Sequence, residues 1–429
     1  MREDILREDI YKQNLLPDAF NVGVFINTAK EVEYNKRKFL DPSWVFHDSV
    51  VKNVLEGNYF DIKPYSGEFV PTLNCSYRCR IPCSYMEQKK LLGVWNSNNF
   101  TDPQIHMCGV DFAKHLLDKL RFGGIKGLIF TGGGEPSFFI GIEDIMLYAK
   151  EIGIDTVLYS NGDWIDEGRV DKVIQSSPLL VRISLNAGTK ETYNRFHHPC
   201  NPELAFETAL STIEKLAKGA IQNPSMSIGV SVVINSINSR DLIEVAHRIK
   251  EIVNRTGGGI EFLSFRPAFN YHVPSIDPNG LPKKTNQLRT SFLQQSFDII
   301  EENVKPVLEG TIVNVSNLTY RYKALIDYQR DDYARYYDSC RASGLFVELA
   351  PDGKLHLCCD WNCHPEFIIG DLTKNTLHEI WAGDQRKNML NQVNSRQCGI
   401  CPPACKPHEI NKQFAQVEMF RAKDEHCAL

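Results

Sequence analysis

Asn74-Cys75-Ser76-Tyr77-Arg78-Cys79-Arg80-Ile81-Pro82-Cys83-Ser84-Tyr85 gathers three cysteines into one short loop. Three thiolates at this spacing can converge on one corner of an iron-sulfur cluster while a fourth iron keeps no protein ligand. An open iron is a place for chemistry. Other uses of the three fit less well. A disulfide scaffold belongs to short secreted chains, whereas this chain has 429 residues and 13 Cys, and its Met-Arg-Glu-Asp start does not read as a signal peptide. Zinc sites pair two ligands with a second pair, and no His or Cys follows this loop closely enough to complete a local tetrahedron.

The loop follows an apolar run, Phe69 to Leu73, and the pattern then repeats. Further runs are Gly127 to Phe130, Thr156 to Tyr159, Leu179 to Leu185, Ser227 to Ile234 and Ile260 to Phe265. Helical periodicity fills the gaps over Val110 to Phe122, Ile142 to Ile152, Pro202 to Lys218 and Arg240 to Arg255. Strands apolar on both faces and joined by helix-length crossovers predict a parallel sheet covered by helices. In such folds ligands collect at the carboxyl ends of strands. Those ends carry the cysteine loop, then Thr131-Gly132-Gly133-Gly134-Glu135-Pro136, Ser160-Asn161-Gly162, Ser184-Leu185-Asn186 and Arg266-Pro267. Glycines let a ligand approach the backbone closely, and Glu135 offers a carboxylate to an ammonium. Ser160, Ser184 and Asn186 suit ribose hydroxyls or an amino acid, and Arg266 suits a carboxylate.

The remaining composition bounds the answer. With 42% hydrophobic and 24% charged residues the chain reads as globular. No stretch approaches the ~20 apolar residues of a membrane span, so a cytosolic protein is expected. A net charge of -5 gives no basic field for a nucleic acid. Residues 1–65 form an N-terminal extension whose tandem Arg-Glu-Asp-Ile repeats predict an amphipathic surface helix. Residues 66–270 hold the strand-helix alternation, which is expected to stop there, and 271–335 read as a linker with a helix over Gln287 to Glu309. Residues 336–429 carry eight of the cysteines and predict a second metal-bearing module.

Taken together, the motifs resemble those of the radical S-adenosylmethionine (SAM) enzymes, in which a reduced [4Fe-4S] cluster cleaves SAM to a 5'-deoxyadenosyl radical. The resemblance covers about residues 66–270 and implies an α/β fold, a partial (β/α)6 TIM-like barrel. It implies Cys75, Cys79 and Cys83 as cluster ligands and Gly133, Gly134 and Glu135 as the site for the methionyl amino group, with Ser160, Ser184, Asn186 and Arg266 as further cofactor contacts. A flavodoxin- or ferredoxin-type electron donor is implied as well. The family's usual spacing has two residues between the last two cysteines, whereas Arg80-Ile81-Pro82 supplies three. Pro82 thus replaces an aromatic that lies near adenine in relatives. A similar three-and-three loop occurs in a diol dehydratase of aminoglycoside biosynthesis.

The C-terminal cysteines resemble the Twitch or SPASM extension of the same enzymes, through Cys340, Gly353-Lys-Leu-His-Leu-Cys358 and Cys398-Gly-Ile-Cys401, with Ile369-Gly-Asp-Leu and Leu377-His-Glu-Ile-Trp381 between. A Twitch arrangement implies one auxiliary [4Fe-4S] cluster on Cys340, Cys358, Cys398 and Cys401. Cys359, Cys363, Cys405 and Cys427 leave a second auxiliary cluster open. Cys427, Cys108 and Cys200 are candidate hydrogen-atom donors, the latter two reading rather as core or loop residues. His197, His198, Asp360, Trp361 and Arg266 are candidates to face the substrate. Two substrate classes stand: a small aminoglycoside- or carbohydrate-like molecule undergoing dehydration, dehydrogenation or epimerisation, and a peptide or protein side chain. An electron-transfer protein without catalysis is disfavoured by the Gly133-Gly134-Glu135 site, which electron transfer does not need.

Overall fold

The computed structural model describes residues 48–79, 83, 108–164, 166–268, 288–317, 319–329, 337, 340–361, 365–393, 401, 405, 407–408, 410–415 and 418. The tandem repeats, Pro82, Cys363, Cys398 and Cys427 lie outside them.

One sheet runs through the molecule, ordered β10-β9-β8-β1-β2-β3-β4-β5-β6-β7. Its strands are β1 (Ser66–Phe69), β2 (Gly127–Phe130), β3 (Asp155–Ser160), β4 (Leu180–Ser184), β5 (Ser227–Ile234), β6 (Phe262–Pro267), β7 (Asn314–Asn317), β8 (Phe346–Leu349), β9 (Lys354–His356) and β10 (Ile368–Asp371). β1 to β7 are mutually parallel, each pair joined by helices as expected of strands apolar on two faces. The helix Val110–Phe122 buries Ala113, Leu116, Leu117 and Leu120, and Leu242–Thr256 buries Leu242, Val245, Ala246, Ile249, Ile252 and Val253. These are the 3.6-residue stripes that cover the outer face of the sheet.

One expectation is corrected. The alternation does not stop after residue 270: the helix Thr290–Ile299 leads to β7, parallel to β6. Asn314-Val-Ser-Asn317 is too polar to read as a buried strand because it ends the sheet and has only one neighbour. The cysteine-rich module continues the same sheet, because β8 pairs parallel with β1, matching Ser66 with Phe346 and Phe69 with Leu349. Gly67 permits this approach, since a Cβ there would lie 2.3 Å from the Val347 carbonyl oxygen. β8 and β9 then turn back as an antiparallel pair, followed by β10. Trp381 fastens the same seam, its indole N–H donating to the carbonyls of Ile62 (3.0 Å) and Gly344 (3.2 Å).

Candidate active site and auxiliary metal centre

The first half of the cysteine loop is held by hydrogen bonds that do not involve a metal. Tyr77 bridges to Pro199, the Arg78 amide donates to the His197 carbonyl at 3.0 Å, and the Cys200 amide donates to the Ser76 carbonyl at 3.0 Å. Ser76 Oγ donates to Asp163 Oδ2 at 2.7 Å, and the buried hydroxyls of Tyr77 and Tyr193 share a 2.9 Å hydrogen bond. The helix Lys190–His197, too short and too polar to stand out in sequence, is thus the platform for the loop. Burial, and then the nearby Cys83 and Cys75 thiols, push the Cys79 thiol well above its ordinary range. Thiolates so placed repel one another unless a cation shares them, which is what an iron cluster supplies. The donor set fits the implied cluster.

Beside the loop, the glycine-rich turn lies against the chain that enters it. The Gly134 amide donates to the Thr72 carbonyl at 2.8 Å and the Glu135 amide to the Asn74 carbonyl at 2.7 Å. A Cβ on Gly134 would fall 1.7 Å from the Asn74 carbonyl oxygen, so only glycine fits. Glu135 is 4% exposed, and its carboxylate accepts from Ser160 Oγ (2.6 Å), the Asn161 amide (2.7 Å) and the Ser137 amide (2.9 Å). Burial still pushes its carboxyl above the usual carboxylate range, against those three bonds. A ligand ammonium arriving here would relieve that penalty. Ser160 has spent its hydroxyl: besides donating to Glu135 it accepts from Trp164 Nε1 (2.9 Å) and the Gly162 amide (3.0 Å). Its place is behind Glu135, orienting it, rather than on a ribose.

Asn186 sits in the left-handed region at φ 60°. Its Oδ1 accepts from the Val233 amide at 2.7 Å, and its Nδ2 lies 3.3 Å from His197 Nε2. His197 is 3% exposed and its Nδ1 lies 3.3 Å from Cys79 Sγ, so it faces the cysteine loop instead of a substrate. Burial lowers its pKa to about 3, keeping the ring neutral. His198 ends the helix in the left-handed region at φ 44°. In sequence His197 reads only as a candidate to face the substrate; its contact with Cys79 depends on which face of the helix Lys190–His197 is buried. Cys108 belongs to the core: its thiol donates to the Pro71 carbonyl at 3.3 Å and burial pushes it up to about 12. Cys200 is exposed next to the loop.

The sheet face opposite the helices is mixed: an apolar cluster of Ile129, Val157 and Leu179 lies at its middle, and polar residues lie to either side. Phe69, Leu349 and Leu355 pack into the main core, so strand alternation turns Glu68, Glu348 and His356 to the other side. Register sets the three next to one another across β1, β8 and β9, and Glu68, Glu348 and Cys359 approach within 4.8 Å. On β4 to β7 the same face carries Ser184, Ser231, Ser264 and Ser316 in one cross-strand row, with Ser184 Oγ 3.3 Å from Ser231 Oγ. Arg182 lies on that face over the Tyr159 ring at 3.5 Å, and Arg266 follows Ser264 toward the strand end.

In the C-terminal module, Cys340, Cys358, Cys401 and Cys405 line one cavity with Asp360. Sequence grouped the first three and placed Cys405 elsewhere; the fold brings it to the same cavity. A hydrogen bond with Cys359, then burial, then the Cys359, Asp360 and Cys340 charges push the Cys358 thiol well up. Asn411 accepts from the Arg341 and Ala342 amides, both at 2.8 Å, and this turns its Nδ2 to donate to Cys340 Sγ at 3.3 Å.

Comparison with known proteins agrees with this geometry. Residues 70–249 match the family described as the Radical SAM superfamily, and residues 340–406 match SPASM, described as an iron-sulfur cluster-binding domain. The Fe-coproporphyrin III synthase of Methanosarcina barkeri is 22% identical over 351 residues, covering 74% of this chain and 82% of that protein. The AdoMet-dependent heme synthase of the same organism is 22% identical over 302 residues, covering 68% and 78%. Streptococcus suis SuiB bound to its precursor peptide SuiA superposes with a TM-score of 0.55 at 15% identity, covering 83% of this chain and 75% of that one, a likeness of fold. Among the described residues no helix is long and apolar enough to cross a membrane. The chain thus carries a radical SAM domain, which implies a [4Fe-4S] cluster and SAM, joined to a SPASM iron-sulfur domain, which implies an auxiliary cluster.

Proposed function

We propose that the enzyme abstracts a hydrogen atom from a small, amine-bearing polyol, an aminoglycoside- or carbohydrate-like molecule. The polar residues on either side of the apolar cluster on this sheet face support this reading. The serine row Ser184, Ser231, Ser264 and Ser316 offers hydroxyl partners at the spacing of adjacent strands, about 4.8 Å, which is the scale of a sugar ring. Glu68 and Glu348 offer carboxylates to an ammonium. The bound cluster and SAM supply the hydrogen-abstracting power. A second reading rests on the two Methanosarcina relatives, named for tetrapyrrole chemistry: Arg182 and Arg266 would then meet substrate carboxylates. Anaerobic reconstitution and a 5'-deoxyadenosine assay with an amino-sugar panel, coproporphyrins and peptides separate the two. Stimulation by amino sugars, with the Michaelis constant raised about tenfold in Glu68→Gln, supports the proposal; stimulation confined to porphyrins or peptides overturns it.

In this reading Cys75, Cys79 and Cys83 hold the first cluster, and Gly133, Gly134 and Glu135 take the methionyl ammonium. Cys340, Cys358 and Cys401 hold the auxiliary cluster, Cys405 lines the same cavity as a further thiolate, and Cys398 lies outside the described residues. Asn411 then supports that cluster through Cys340. Asn411→Asp keeps an acceptor for the two backbone amides but turns a carboxylate oxygen toward the sulfur. The expected result is an intact fold that loses auxiliary iron to a chelator about tenfold faster than the parent.

A further inference from the structure

The buried contacts around His197 form a directed chain. The Val233 amide can only donate, so at 2.7 Å it fixes the carbonyl end of the Asn186 side chain and turns the NH2 group toward the imidazole. That NH2 can only donate, and the ring atom it meets is Nε2 at 3.3 Å. The Leu185 carbonyl also lies 3.3 Å from Nε2 and would prefer a proton there. A proton on Nε2 would satisfy Leu185 alone. It would oppose the Asn186 donor and would leave the Nδ1 lone pair facing Cys79 Sγ at 3.3 Å. A proton on Nδ1 satisfies both Asn186 and a Cys79 thiolate. The ring is further fixed by Tyr193 at 4.5 Å, Phe196 at 4.9 Å and Tyr77 at 5.1 Å between ring centroids. It cannot turn to another partner without breaking that packing.

We propose that His197 is a positioning residue that donates Nδ1–H to the Cys79 thiolate and so sets the reduction potential of the first cluster, with Asn186 and Val233 fixing its tautomer. Reduction adds negative charge to the cluster and its sulfurs. A donor held on one of those sulfurs stabilises the reduced form, as hydrogen bonds to cluster sulfurs do generally. The arrangement has a counterpart at the second centre, where backbone amides fix Asn411 and its NH2 meets Cys340 Sγ. The two sulfurs are served by the same device, once through a histidine and once directly.

The proposal rests on Cys79 as a ligand of the first cluster. That premise has its own check, since Cys79→Ala must lower iron content whatever His197 does. For His197 itself, the full-length reconstituted protein is titrated anaerobically and the potential of the first cluster read by electron paramagnetic resonance. His197→Phe removes the donor and keeps a ring. It should shift the reduction equilibrium about tenfold toward the oxidised cluster, ~59 mV for a one-electron couple. His197→Asn places an amide N–H near the former Nδ1 and should restore the parent potential; His197→Gln, whose amide reaches toward Nε2, should not. An unchanged potential in His197→Phe with full iron content overturns the proposal. If His197→Phe fails to hold iron, the Asn and Gln variants decide it, and equal potentials in that pair overturn it.

Discussion

Cys79→Ala is expected to stop 5'-deoxyadenosine formation, by on the order of a thousandfold or more, equivalent to at least ~4 kcal/mol of barrier. The fold should survive. What anchors this part of the loop is Tyr77 against Tyr193, Arg78 on the His197 carbonyl and Ser76 on Asp163, and none of these uses the Cys79 sulfur. The variant therefore separates loss of chemistry from loss of structure. Iron should fall from about eight atoms per chain toward about four, the auxiliary cluster remaining. A variant that keeps its iron and its cleavage activity would remove Cys79 from the ligand set. One that unfolds would show that the cysteine loop needs its metal after all.

The second large effect is expected at Glu135, where two substitutions should part company. Glu135→Leu leaves Ser160 Oγ and the Asn161 and Ser137 amides without their acceptor in a buried site. At ~1–3 kcal/mol for each of the three buried donors left unpaired, a loss of roughly 3–9 kcal/mol in unfolding free energy follows, measurable by denaturant titration. Glu135→Gln keeps a carbonyl oxygen for those donors and removes a charge that burial disfavours. The raised carboxyl pKa gives the sign: the ionised form is the costly one, and its cost grows as pH rises through that pKa. The Gln variant should therefore stay within about 1 kcal/mol of the parent at neutral pH. Its affinity for SAM should fall at least about tenfold, read by equilibrium dialysis, because the neutral amide cannot answer an ammonium. Equal affinity in Glu135→Gln would take the methionyl ammonium away from this carboxylate.

What could be read in advance followed from periodicity and from cysteine spacing. Gly127–Phe130 and Ser227–Ile234 are strands at the limits their apolar runs set, and Val110–Phe122 is a helix at the limits of its stripe. β1 was misplaced because its own residues, Ser66 to Phe69, include Gly67 and Glu68 and gain their strand character from two flanking neighbours. β7 was missed for the converse reason, a polar inner face and a single neighbour. At the site, Cys75, Cys79, Glu135 and Asn186 were legible as residue types after strands. The inward turn of Ser160 onto Glu135 and of His197 onto Cys79 depends on which face of a short helix or loop is buried, and one sequence does not carry that. Cys405 joined the auxiliary cavity by the path of the chain, not by its spacing from Cys401.

The pairing of β1 with β8 has a consequence for how the protein is made. β1 leaves the ribosome early, yet its second neighbour, Phe346–Leu349, is synthesised some 280 residues later. Until then β1 is an edge strand with a row of unpaired amides and carbonyls beside the unfilled cysteine loop. The sheet is therefore complete at β1 only when β8 emerges, and the first of the described strands to be translated is among the last to be sealed. A nascent chain in that interval presents both an open edge and unligated thiols, the two features that most invite aggregation and oxidation. The covalent order of the chain thus makes the arrival of β8 a condition for covering the edge beside the first cysteine loop.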